Sequence, residues 1–130
     1  LPRLLSRFEL TEPRELVTIL YDGHPARRTA LAELAPLVTA AAAEGDDVAK
    51  QIASDAAADL ARLVTATCIQ LKLSSSSYPL AITGGVLCNS PLMRKCLKAS
   101  LEEQGHLPEE ITLVEQPVQG AVELARCAIV

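Results

Sequence analysis

The segment from Leu80 to Pro91, LAITGGVLCNSP, constrains the fold more than any other part of the chain. It starts with a short apolar run and continues into two adjacent glycines. Ser90 and Pro91 then open a helical stretch, since serine caps helices and proline fits their first turn. The segment predicts a strand, a tight turn and a helix in succession. Open α/β sheets bind ligands beyond the carboxyl ends of their strands, so a nucleotide that touches this chain is expected at this turn.

The elements after this turn predict a βαβ unit. A strand is expected over residues 78–83, a helix over 91–104, a second strand over 111–114 and a last helix over 118–130. A helix between two strands at this spacing makes the strands parallel. Both strands are apolar, as strands covered on both faces are. Two strands do not form a stable sheet by themselves, so we expect further strands from a longer protein, of which this chain is the C-terminal part.

Helical patterns fill the chain before residue 74. A helix is predicted from about Glu12 to Tyr21, and a second from Ala30 to Ala43 with a kink or restart at Pro36. Gly45 supplies a stop and Asp46 a cap for the longest helix, which spans residues 47–73. Its predicted core face consists of Val48, Ile52, Ala56, Leu60, Leu63, Val64, Thr67, Cys68 and Leu71. We expect one domain over 1–130, with a helical part at 1–77 and a βαβα part at 78–130.

Composition and charge exclude several classes of partner. The chain has 130 residues, enough for one modest domain, and a net charge of -4. It has no basic stripe and no aromatic platform, so neither nucleic acid nor an anionic membrane is an expected partner. The sequence shows no signal peptide and no apolar run long enough to span a bilayer. A cytoplasmic protein is therefore expected.

The reactive side chains form no recognisable catalytic or metal-binding set. The cysteines are spaced too widely for a zinc site and are expected to be reduced thiols, with Cys88 placed where it can be exposed: Cys68, Cys88, Cys96 and Cys127. His24 and His106 lie beside glycines in turns and are expected to be solvated. There is no P-loop and no G-x-G-x-x-G. On the residues alone, the Gly84-Gly85 pair also fits a tight turn that binds nothing, and Gly120-Ala121 also fits a close helix-packing point.

Four runs of residues together resemble a known superfamily. Ile82-Thr83-Gly84-Gly85-Val86 with Asn89 resembles the adenosine motif of the actin-like ATPase and sugar kinase superfamily. The run from Pro117 to Ala125, PVQGAVELA, is similar to that superfamily's second connect motif. Upstream, residues 14–22 and 41–46 are similar to the helical part of N-acetylglucosamine kinases, which belong to the BadF/BadG type. The resemblance covers the chain from about Leu10 onward.

The resemblance implies an α/β, helix-rich fold: part of a ribonuclease-H-like C-terminal lobe with a short parallel βαβ unit and several helices. In such kinases adenine lies near the glycine turn, which implies adenosine contacts for Gly84 and Gly85, with Val86 and Asn89 as further candidates. Gly120 and Ala121 match the connect motif, which implies interdomain hinge packing. The full-length parent would be an ATP-dependent, Mg²⁺-requiring kinase of an amino sugar.

The chain departs from the superfamily in what it lacks. The phosphate-binding loops, the sugar-binding residues and the catalytic aspartate of these kinases have no counterpart here. Phosphoryl transfer depends on positioning, Mg²⁺ and a base, so no catalytic or metal-binding residue is assigned and the isolated chain is predicted to be inactive. Two alternatives stay open: an ATPase activator of the acyl-CoA dehydratase type, and a non-catalytic helical module that self-associates. A homo-oligomer is expected.

Overall fold

A computed structural model describes residues 2–21, 27–73 and 78–128. The chain divides into two compact units, residues 1–52 and 53–130. The elements within the described ranges are α1 (Pro2–Arg7), α2 (Pro13–Tyr21), α3 (Arg27–Ala43), α4 (Asp47–Leu71), β1 (Pro79–Ile82), α5 (Gly85–Asn89), α6 (Pro91–Glu103), β2 (Glu110–Leu113) and α7 (Pro117–Cys127). Helices and a short parallel sheet make the chain compatible with the α/β class. The division at residue 77 stays a prediction, and the turn at 22–25 with His24 lies outside the described residues.

The first unit consists of α1, α2, α3 and the start of α4. Exposed ion pairs join α1 to α3 and to the turn after it: Arg7 Nη2 lies 2.7 Å from Glu33 Oε2, and Arg3 Nη2 lies 2.7 Å from Glu44 Oε2. Of the kink or restart predicted at Pro36, the restart is wrong, because α3 continues through this residue.

The connection between α3 and α4 forms as the sequence predicts. Gly45 has a φ of +109°, a left-handed conformation that glycine adopts without strain. Its N–H donates to Ala42 O at 3.2 Å, and Asp46 N donates to Ala41 O at 3.0 Å, the two bonds of a Schellman helix end. Asp46 Oδ1 then accepts from Ala49 N at 2.8 Å and caps α4.

The second unit contains the predicted βαβ unit. β1 and β2 are parallel, with a register that runs from Pro79 opposite Glu110 to Ile82 opposite Leu113. α6 connects them and begins at Pro91, as predicted. Ser90 Oγ caps this helix by accepting a hydrogen bond from Met93 N at 3.3 Å. Within the described residues each strand pairs only with the other, which leaves one edge of each unpaired.

The core of the second unit lies between α4, α6 and the sheet. α4 contributes to this core a stripe of alanines at four-residue spacing, and the complete buried cluster is Ala53, Ala57, Ala61, Ile82, Met93, Leu97 and Leu101. Cys68 of α4 is also buried, as predicted, outside this cluster. The larger side chains of the cluster come from α6 and, at Ile82, from β1. Small residues on α4 therefore face long residues on α6, and together they fill the space between the helices.

This alanine stripe corrects the predicted core face of α4. Val48 and Leu63 were expected in the core, yet they are 71% and 66% exposed. Ile52 is also exposed, and with Val48 it lines a cleft of about 610 Å³ within the first unit. Leu60 and Val64 do pack against the core cluster. The prediction failed because α4 has apolar residues on most of its circumference, so that spacing alone does not select a face.

The sheet and α7 leave apolar surface uncovered in the described part of the chain. Ala81 and Thr112 are exposed on the sheet face opposite the core, so the expected cover on both faces is not present there. Every residue of α7 is exposed, including Val118 at 66% and Leu124 at 75%.

Hydrogen bonds of Tyr78 connect the residue before β1 to His106 and Glu109. Its side chain is buried, its hydroxyl donates to His106 O, and its own carbonyl accepts from Glu109 N at 3.1 Å. Burial, and then a hydrogen bond with the Cys68 thiol, raise the pKa of Tyr78 to about 12. The expectation of a solvated His106 is wrong in part, since this residue is half-buried and its Nδ1 is buried without a hydrogen-bond partner.

Candidate functional site

The candidate site is the turn that follows β1. Gly84 has a φ of +97° and a ψ of 151°, a conformation that L residues with a side chain rarely adopt. Its carbonyl accepts from Cys88 N at 2.9 Å, which closes the first turn of α5. Apart from the adjoining residues and the backbone of the glycine's own helix, no atom lies within 4 Å of the position that a Cβ would take at Gly84 or at Gly85. The backbone of this turn is therefore open to a ligand.

The turn lies at the same sheet edge as the connection between β2 and α7. Val114 N donates to Ile82 O at 2.8 Å, which continues the pairing of the two strands by one residue. Cys88 Sγ lies 3.7 Å from Val114 O and donates a weak hydrogen bond to it. Cys88 is thus half-buried and bonded within the fold, where exposure was thought possible.

Two side chains hold α5 in place. Asn89 Nδ2 donates to Gly85 O at 2.8 Å, so the amide of this predicted adenosine contact also bonds within the helix. Arg94, on α6, donates through Nη1 to Leu87 O at 2.6 Å and to Cys88 O at 2.8 Å. These two carbonyls lie in the last turn of α5, where backbone acceptors lack partners within the helix.

The structure brings the four predicted site residues together on one short segment. Gly84, Gly85 and Asn89 are exposed, and Val86 is 39% exposed. Their contact with adenosine stays a prediction. Gly120 has no atom within 4 Å of a Cβ built on it, so it makes no close packing contact in the described part of the chain. Its place in an interdomain hinge also stays a prediction.

Sequence reasoning missed Arg94. The available signal was a basic residue one helical turn after the Ser90 cap, within reach of the short helix that precedes it. That signal is weak, because most arginines in such positions extend into solvent.

The described residues of this turn offer an open backbone. Two successive glycines leave room for a flat group to approach the main chain. Among the described residues, no three His, Cys, Asp or Glu side chains are grouped closely enough to hold a metal ion, so the residues of this turn do not fit Mg²⁺. None of the described helices combines the length and apolar character needed to cross a bilayer.

Comparison with known proteins supports a relationship to a kinase family. The chain is 28% identical over 123 residues to N-acetyl-D-glucosamine kinase of Dictyostelium discoideum. The aligned region covers 94% of this chain but 39% of the kinase, so the chain spans about two fifths of the length of that relative. No protein-family model and no solved structure matches the chain. This similarity suggests a sugar-kinase-like origin.

Proposed function

We propose that this chain is the C-terminal part of an ATP-dependent sugar kinase similar to N-acetylglucosamine kinases, and that it forms the adenosine side of the nucleotide cleft. The cytoplasmic parent would phosphorylate an amino sugar with ATP and Mg²⁺, and this part of it would belong to a ribonuclease-H-like lobe. The observation that carries the proposal is the similarity to a curated N-acetyl-D-glucosamine kinase over nearly the whole chain. The open glycine turn at the carboxyl end of β1 supports it.

The geometry of the turn explains why this position suits adenosine. A backbone without side chains lets a flat ring approach within van der Waals distance, and Gly84 and Gly85 provide two such residues in succession. Val86 adds a partly exposed apolar side chain at the start of α5, against which a ring can pack.

In the proposed parent, this chain contributes to adenosine binding, and other parts of the protein supply the groups for phosphoryl transfer. Phosphoryl transfer needs phosphate-positioning groups, metal ions and a base, and none of these is assigned to residues of this chain. We therefore expect the 130-residue chain to bind adenosine weakly and to transfer no phosphoryl group. Phosphorylation of an amino sugar above background by this chain would refute the proposed division.

A pair of matched variants tests the adenosine contact. Gly85→Ala adds a methyl group at the turn, where nothing in the fold obstructs it. Gly120→Ala makes the same change in α7, also in open space. Each variant is expected to keep or raise the free energy of unfolding by up to about 1 kcal/mol, because alanine favours a helix over glycine.

Titration with adenosine and ADP, followed by heteronuclear NMR or calorimetry, then separates the two variants. We expect Gly85→Ala to weaken binding of both ligands, while Gly120→Ala binds them as the wild type does. Equal affinities for all three proteins would show that adenosine does not contact the turn. Inorganic phosphate serves as a ligand control and should not compete, since the phosphate-binding loops have no counterpart here.

Self-association is a second candidate function, favoured by the exposed apolar residues of α7. Such residues are normally covered by a partner or by the rest of a larger protein. Sedimentation equilibrium distinguishes the two functions: a stable monomer that binds adenosine excludes the module, and a dimer that does not bind adenosine favours it.

A further inference from the structure

We propose that Arg94 is a positioning residue of the nucleotide site, which holds α5 and thereby fixes the Gly84-Gly85 turn for adenosine. The inference rests on the function proposed above and extends it to a residue that does not touch the ligand. It is carried by two hydrogen bonds, from Arg94 Nη1 to Leu87 O at 2.6 Å and to Cys88 O at 2.8 Å.

α5 requires outside support because it is short. It contains five residues, Gly85–Asn89, and helices of this length are not stable by themselves in water. Its final carbonyls have no donors within the helix. Ser90 N supplies one donor, to Val86 O at 3.0 Å. Arg94 supplies the donors for the next two carbonyls along the chain.

The charge of Arg94 suits this position. The carbonyl end of a helix carries partial negative charge, which a cation stabilises. Hydrogen bonds from a charged donor are stronger than neutral ones. In the described part of the chain Arg94 takes part in no ion pair, so its contacts with α5 are not shared with a carboxylate.

The part of α6 that carries Arg94 is packed against the core. It lies on α6 between Met93 and Leu97, and Met93 and Leu97 are buried in the core cluster. The hydrogen bonds of the Arg94 guanidinium therefore connect α5 to a part of α6 that is packed in the core. Gly85 is the first residue of α5, and Gly84 O accepts a hydrogen bond from Cys88 N at 2.9 Å. The position of the glycine turn is therefore coupled to the position of α5.

Four proteins test this role: the wild type, Arg94→Met, Arg94→Lys and Lys95→Met. Arg94→Met keeps an apolar stem but removes the charge and the donors. Lys95→Met removes the same charge from the next residue, which is exposed. The first measurement is amide hydrogen exchange at Cys88 and Ser90, whose N–H groups bond within α5 and at its end. The second is the dissociation constant for adenosine, taken well below the unfolding temperature.

We expect Arg94→Met to speed exchange at both amides and to weaken adenosine binding, each by about tenfold, the factor that corresponds to about 1.4 kcal/mol. Arg94→Lys should recover part of both losses, because an ammonium group can still reach one carbonyl. Lys95→Met should match the wild type. Amides of the core residue Leu97 should exchange alike in all four proteins.

The outcomes separate this inference from the proposed function. Unchanged exchange at Cys88 and Ser90 in Arg94→Met overturns it. So does faster exchange with unchanged affinity, since α5 would then be loosened without consequence for the ligand. If the wild type binds no adenosine, the proposed function fails and the role of Arg94 at a nucleotide site fails with it, while the exchange data still show whether Arg94 orders α5.

Discussion

Replacement of Ala57 by leucine tests the buried face of α4 most directly. Ala57 is fully buried within the stripe that also contains Ala53 and Ala61. A leucine there adds three carbon atoms to the buried cluster that also contains Leu97 and Leu101 of α6. Insertion of that volume into a packed core forces side chains from their rotamers and typically costs about 1–3 kcal/mol.

The adjacent residue provides the control. Ala56 belongs to the face that the sequence pattern predicted to be buried, yet it is exposed in the structure. Ala56→Leu adds the same three carbons to solvent-exposed surface, and leucine has nearly the helix propensity of alanine, so its effect should stay within about 0.5 kcal/mol.

Urea unfolding followed by circular dichroism gives both values, provided that the slope with denaturant is unchanged between variants. The structure predicts a lower free energy of unfolding for Ala57→Leu and a near-wild-type value for Ala56→Leu. The reverse order would refute the assignment of the buried face and restore the face given by Val48, Ile52 and Leu63. Equal effects would refute the packing of α4 against α6.

Three further predictions concern stability. Leu101→Ala removes a fully buried side chain and should lower the free energy of unfolding by about 2–5 kcal/mol, whereas Leu63→Ala at an exposed position should change it by less than about 0.5 kcal/mol; chemical denaturation measures both. Asp46→Ala removes the cap of α4 and should cost about 1 kcal/mol, while Asp46→Asn should cost little, by the same assay. The pKa of Tyr78 is raised from 10.0 to about 12, which makes the free energy of unfolding depend on pH. The contribution of Tyr78 is complete below pH 10 and is lost as the pH rises through 12, by roughly 2–3 kcal/mol. Tyr78→Phe should lack this dependence in unfolding curves measured from pH 9 to 12. An equal fall in Tyr78→Phe would show that another group is responsible.

The strand, turn and helix around Gly84 could be predicted because their signals act over a few residues. The cap of α6 joins residues only three positions apart, since Ser90 Oγ accepts from Met93 N. The observed ends of β1 and α6 lie within a residue or two of the predicted ones. The parallel pairing followed from the helix between the strands, since such a crossover leaves few other arrangements. The four residues proposed to contact adenosine lie on this segment, and that contact stays a prediction.

Contacts between distant residues could not be predicted in this way. His106 was expected in solvent because it follows a glycine, yet the Tyr78 hydroxyl donates to its carbonyl from 28 positions away. The side chain of Tyr78 is buried, and the His106 residue is half-buried with its Nδ1 buried. Arg94 has a sequence environment like that of Lys95, but only Arg94 lies on the side of α6 that meets the end of α5. Such differences depend on how elements pack and not on local propensity.

The sequence by itself determined the order of the two strands and the longer helices, the caps at Asp46 and Ser90 and the place of the glycine turn, because backbone conformation and capping are settled by neighbouring residues. The short helices α1 and α5 were not predicted. Only the tertiary structure decided which face of α4 is buried and which basic residue of α6 donates hydrogen bonds to α5. The physical reason is that α4 carries apolar residues on most sides, and burial goes to the face whose small alanines leave room for the long side chains of α6.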